Sequence, residues 1–210
     1  MTGPGASRRS ALLAVMAHPD DAELWAGGTL ALHAQSAHVT IAIPPSDPAR
    51  LAEAAAGADI LGAHLQLLDD PVTPQALSAV LTELRPDVVI THPFADVHPD
   101  HRGLAASVLA ALPDAVIATG FPRRLYTCDT YNSLTLDGPL AATAIIDITQ
   151  TYSTKMRALA AHSTTQPITD HFGPMAENLA RLWGARCGTH YAEPFTAVPI
   201  LGRLPSASHL

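Results

Sequence analysis

One imidazole and three carboxylates fall within seven residues, Ala17-His18-Pro19-Asp20-Asp21-Ala22-Glu23. A second cluster, Asp96-Val97-His98-Pro99-Asp100-His101, lies far downstream. Imidazole nitrogens and carboxylate oxygens are ligands for zinc and related divalent ions. A catalytic zinc takes three protein ligands and keeps one position open for water. His18, Asp21 and His101 supply two nitrogens and one oxygen. The short step from His18 to Asp21 lets one tight loop turn both side chains inward. Such a set suits one Zn2+ per chain, and iron, cobalt or manganese could also occupy it. Each cluster alone has a plainer explanation. Asp20-Asp21 could be a helix N-cap pair, and His98 with His101 an exposed turn around Pro99. Their joint occurrence favours an ion, because buried charges need pairing or a metal.

Both clusters directly follow apolar runs, residues 11–16 and 87–91. In open α/β sheets, ligand sites lie beyond the carboxyl ends of strands, and adjacent parallel strands bring those ends together. Strands are predicted at residues 11–17, 39–43, 65–68, 87–91 and 115–118. Helices are predicted from Gly27-Gly28 to near Ser36, and from Asp47 or Pro48 to Leu61 with Gly62 as cap. A third carries Leu77, Val80, Leu81 and Leu84 at helical spacing and ends at Pro86. A fourth runs from about Arg102 to Leu112. Later candidates are strands at 125–128 and 143–148, a helix on Tyr152, Met156, Leu159 and Ala160, and another on Leu179, Leu182 and Trp183. The expected class is α/β: a Rossmann-like, mostly parallel sheet with helices on both faces and a C-terminal capping portion. Residues 1–210 are expected as one domain, with a core over 1–120 and a mixed portion over 121–210 that closes over its top.

The chain has 210 residues, 48% hydrophobic and 15% charged, enough for a sizeable core. A net charge of -7, with 12 Lys and Arg in no long block, argues against a nucleic-acid partner. Two cysteines, Cys128 and Cys187, fit reduced thiols in a cytoplasmic protein better than a disulfide framework. Arg8-Arg9 and the apolar stretch behind it mimic an export signal. Cleavage after Ala17 would remove the strand that supports His18, so export is not expected. No apolar run reaches the ~18 residues of a membrane span.

At the residue level the chain resembles the PIG-L/LmbE family of zinc-dependent N-deacetylases, which act on N-acetylglucosamine conjugates and related amides. The resemblance rests on His18-Pro19-Asp20-Asp21-Ala22-Glu23 with Gly27-Gly28-Thr29 behind it, and on His98-Pro99-Asp100-His101. Arg50 to Glu53, Leu61-Gly62, Arg85 to Val89, Lys155 to Ser163 and Tyr191 to Phe195 extend it over nearly the whole chain.

The resemblance implies zinc on His18, Asp21 and His101, with metal-bound water as nucleophile. It makes Asp20 the general base and His98 the group facing the oxyanion. Asp96, two residues before His98, could orient it or favour its protonated form, or be a loop-turn carboxylate. Some family members carry a tyrosine where Asp96 stands, so a tyrosine-gated transition state is not expected. The segment before Arg50 is short, which would open the pocket. Arg50, Asp70 (or Asp69) and His162 are candidate substrate contacts. Glu23 and Glu193 are expected to support the site from behind. Gly27-Gly28 fits close helix approach better than a phosphate loop, since no phosphate-loop lysine accompanies it. His92 and the remaining histidines show no convergent partner. The expected partner is a small N-acyl amino sugar or glycoside, with self-association typical of the family. The expected pathway is thiol-cofactor assembly or natural-product tailoring. The alternatives are another amide or ester at the same site, or a non-catalytic Rossmann-like binding module.

Overall fold

The computed structural model describes residues 9–204. Arg8 of the export-like segment and His209 lie outside the described residues. One sheet is built from β1 (Ala11–Val15), β2 (His38–Ile43), β3 (His64–Leu67), β4 (Val88–Thr91), β5 (Arg124–Thr127), β8 (Ala144–Asp147) and β9 (Ala192–Val198). Two short strands, β6 (Leu134–Thr135) and β7 (Gly138–Pro139), pair separately. The sheet order is β3-β2-β1-β4-β5-β9-β8. The first five strands are parallel, and β9 runs antiparallel to both β5 and β8. The chain moves outward from β1 to β3, then returns to lay β4 against the other side of β1. The crevice at that reversal is where open α/β sheets bind ligands. Both polar clusters follow the two strands that flank it.

Side chains of β1 alternate between faces, as strand geometry requires. Leu12 and Ala14 join one core with α1 (Asp21–Ala34), α2 (Pro48–Leu61), α5 (Tyr152–Ala160) and α6 (Gly173–Cys187). Leu13 and Val15 join another with α3 (Pro74–Leu84) and α4 (Pro99–Thr119). Helices therefore cover both faces. α2 matches expectation at both ends: Asp47 accepts the Arg50 N–H, Pro48 opens the helix, and Gly62 closes it at φ 74°.

Three expectations need correction. α1 starts at Asp21, so Gly27 and Gly28 lie inside it. A Cβ on Gly28 would sit 2.7 Å from Ile148, and one on Gly27 would sit 3.1 Å from Lys155. These glycines let α1 approach α5 and the turn before it, in keeping with their predicted use. α4 does not stop at Leu112. It continues through Pro113 to Thr119 and Gly120, so residues 115–118 form no strand. Pro113 is exposed while Leu112 and Ala115 are buried, so the proline ring and the carbonyl it leaves unbonded lie on the solvent side. At 21 residues α4 is long and apolar enough to cross a bilayer by length and composition. Its buried Leu104, Val108 and Leu112 instead pack into the second core. The third correction concerns residues past 120, which extend the sheet rather than only closing over it. β9 escaped prediction because Pro194 interrupts its pattern; Pro194 pairs with Ile145 of the edge strand β8.

Candidate metal centre

The loop from β1 enters α1 so that His18 and Asp21 face one point. Asp21 Oδ2 accepts the backbone N–H of His18 at 2.8 Å, and Asp21 Oδ1 accepts Trp25 Nε1–H at 3.1 Å. These bonds fix the carboxylate before any ion arrives. Asp20 occupies the N-cap position, yet its side chain caps no N–H. Its Oδ1 instead accepts Arg50 Nη2–H at 3.0 Å. From the other side, α4 opens with His98 as cap and Pro99 in its first turn, and His98 Nδ1 accepts the Asp100 N–H at 3.3 Å. One turn on, His101 is fully buried.

The three expected ligands meet. His18 Nδ1 lies 3.2 Å from Asp21 Oδ2. His101 Nε2 lies 3.3 Å from His18 Nδ1 and 3.4 Å from Asp21 Oδ2. Two donors each ~2.0–2.1 Å from an ion at a tetrahedral angle stand about 3.3–3.4 Å apart. The donor set therefore fits one tetrahedral divalent ion.

Asp96 supports this set differently from the sequence expectation. Its Oδ2 lies 3.1 Å from His101 Nδ1, while its Oδ1 accepts the His98 backbone N–H at 2.8 Å. It thus positions the His101 ring and touches His98 only through the main chain. Nor is His98 held protonated: burial, then the nearby His101 and His18, push its pKa down. His101 goes the other way. Burial opposes its charge, but the hydrogen bonds and charges of Asp21 and Asp96 win and raise it to about 9. Asp21 is held well below the usual carboxylate range: burial raises it, but His92, His101 and His18 outweigh that. Asp20 is raised, first by burial and then by Asp21, with Arg50 opposing.

His92, set aside in the sequence, belongs to the site. It follows β4 directly, is fully buried, and stacks on His101 with ring centroids 3.8 Å apart and 13° between planes. Its Nε2 lies 3.3 Å from Asp21 Oδ2 but already accepts the Ala17 N–H at 3.0 Å. That lone pair is committed, so His92 braces His101 and joins the two strand ends. Its place one residue past a buried strand was the available signal.

The expected substrate contacts disperse. Arg50 turns to Asp20. His162 is fully buried, with Nε2 3.6 Å from Glu23 Oε2, so it stands behind the site rather than on an open wall. Asp70 is exposed on the loop after β3. Glu53 binds the backbone N–H and hydroxyl of Thr164 and the hydroxyl of Thr165. Glu193 accepts the N–H groups of Gly28 and Thr29 at 2.9 and 2.8 Å and pairs with Lys155 Nζ at 2.6 Å. It therefore braces α1, and Glu23 reaches His162; both support the site from behind.

Residues 13–112 match the family model described as PIG-L, GlcNAc-PI de-N-acetylase. The match spans 100 of the 210 residues, just under half of the chain. Both segments that build the donor triangle lie within that range. Solved structures share the fold. The conserved protein TT1542 from Thermus thermophilus is 28% identical with TM-score 0.74, covering 90% of this chain and 94% of that one. GalB, the 4-carboxy-2-hydroxymuconate hydratase of Pseudomonas putida KT2440, is 20% identical with TM-score 0.77, covering 96% and 99%. The N,N'-diacetylchitobiose deacetylase of Pyrococcus horikoshii is 20% identical with TM-score 0.71, covering 92% and 85%.

Proposed function

We propose that this protein is a zinc-dependent hydrolase that removes an N-acetyl group from a small amino-sugar conjugate. The observation that carries this reading is the donor triangle of His18, Asp21 and His101 with the carboxylate of Asp20 beside it. His18, Asp21 and His101 would hold a divalent ion, which would supply an acidified water and a Lewis acid for the amide carbonyl.

The chain's own groups supply the remaining chemistry. Arg50 holds Asp20 Oδ1, so Oδ2 is the atom that takes the proton from water and returns it to the departing amine. A raised carboxylate pKa suits that exchange. His98 Nδ1 accepts a backbone N–H, so the neutral ring carries its proton on Nε2. That N–H is a donor for the oxygen that gains charge when water attacks, a contribution of ~10²–10³ in rate. Beside His18 and Asp100 lies a cavity of about 390 Å³ with Pro44, Val72, Leu104 and Ser107 in its walls. Ligand pockets commonly span ~300–1,000 Å³, so it has room for a sugar-sized group. The chitobiose deacetylase and a deacetylase of the teicoplanin biosynthetic pathway share the fold, and the diacetylchitobiose named for the first is the model for an amino-sugar substrate here.

The test is a panel of N-acetylated amino sugars and glycosides, scored for acetate with the zinc-loaded enzyme, with chelator, and after zinc is restored. Acetate release that chelator abolishes and zinc restores supports the reading. No acetate from any member, or release indifferent to chelator, overturns it. A hydratase would add water to an alkene and free no acetate, so the same panel separates that chemistry.

A further inference from the structure

A second cavity lies on the α1 face of the sheet, floored by β1, β4 and β5, and none of the proposed metal ligands lines it. Register explains its floor. Leu12, Val88 and Arg124 are consecutive pairing partners across β1, β4 and β5, and Ile90 pairs with Tyr126 one pleat further on. All five line the cavity, with Ile146 of β8 and Phe195 of β9 forming one side and Thr29 and His33 of α1 another. Its volume is about 110 Å³. An apolar cavity of ~150 Å³ accepts a benzene ring.

The polar groups around this apolar floor are unspent. Thr29 is 3% exposed, and its Oγ1 has no hydrogen-bond partner. Among the described residues, the Arg124 guanidinium, the His33 ring and the Tyr126 hydroxyl make no hydrogen bond or ion pair. Burial, then the charge of Arg124, push the His33 pKa down. A half-buried cation with no ion-pair partner among the described residues, set beside apolar walls, is a standing cost that a bound anion would remove.

We propose that this cavity is a binding site for a small apolar carboxylate, an aromatic or branched aliphatic acid. Its body fills the space between Leu12, Ile90, Ile146 and Phe195, and its carboxylate meets the Arg124 fork with Thr29 and Tyr126 as further donors. A single guanidinium matches one negative charge, and apolar walls disfavour a more hydrated dianion such as phosphate. The site does not depend on the deacetylase reading.

Benzoate is the probe, titrated into the zinc-loaded protein with isoleucine methyl groups labelled for NMR. Ile146 reports on this cavity and is remote from the metal ligands in the sheet order. Saturable shifts at Ile146, with an upward shift of the His33 titration, are expected. Benzamide and inorganic phosphate should leave Ile146 unmoved. Arg124→Gln should weaken benzoate at least tenfold, and Ala144→Phe, which fills the space, should abolish the shifts. Native-like methyl spectra of both variants certify their folding. The proposal is overturned if Ile146 does not respond to benzoate, if benzamide binds as well, if phosphate alone produces the shifts, or if Arg124→Gln binds unchanged.

Discussion

Asp96 Oδ2 stands 3.1 Å from His101 Nδ1, and neither side chain has any solvent exposure. This carboxylate fixes which nitrogen of His101 is offered to an ion. Asp96→Asn should weaken zinc binding about 10–100-fold while leaving the fold intact, the usual scale for a carboxylate behind a metal-bound histidine. Chelator competition reads the affinity, and circular dichroism reads the fold. Unchanged affinity would remove Asp96 from the site.

Asp20 should separate binding from turnover. Asp20→Asn keeps zinc at the parent stoichiometry but loses about 10²–10⁴ in kcat, the range of general acid–base assistance. His101→Ala should lose zinc and activity together. Metal analysis beside steady-state rates checks both. Parent-like turnover in Asp20→Asn would mean that another group moves the proton.

Gly28 is set by contact rather than by backbone freedom, since an added Cβ would meet three Ile148 carbons within 2.8 Å. Gly28→Ala should destabilise the protein by about 1–3 kcal/mol, as overpacking does. Adding Ile148→Ala should recover part of that loss, so the two changes combine non-additively. Denaturant melts of the two single variants and the double variant test the coupling.

Asp129 gives a pH dependence with a definite sign. Burial raises its pKa to about 6, against opposing hydrogen bonds from Thr130, Ser133 and Trp183. The fold prefers the protonated acid, so its contribution is fully present below the unfolded value near 3.8 and is lost as pH rises through 6. Two pKa units correspond to roughly 3 kcal/mol at most. Relative to the parent, Asp129→Asn should show a flatter stability profile between pH 4 and 6, measured by urea unfolding. An unchanged slope would show that this carboxyl ionises freely in the fold.

The donor triangle was legible because its residues are of unusual type and sit at strand ends, where a parallel sheet must gather them. His92 was not, since a histidine beside a proline in an apolar stretch carries no pattern until its ring is seen against His101. Arg50 and His162 could be marked as participants, but only the packing of α2 and α5 on α1 shows that one turns to Asp20 and the other to Glu23. Helix α4 outruns its expected end at Leu112 because Pro113 falls on the solvent side, where the ring and the unbonded carbonyl it leaves meet water. Strand β9 was hidden by Pro194, whose place beside the edge strand β8 depends on the whole sheet.

Glu193 takes the two N–H groups in the middle of the first helix. A ribosome that has just passed His101 has already made every proposed metal ligand, but not the clasp that steadies the helix bearing Asp21. The helix bearing Asp21 is therefore clasped only after the segment from His101 to Glu193 has been made.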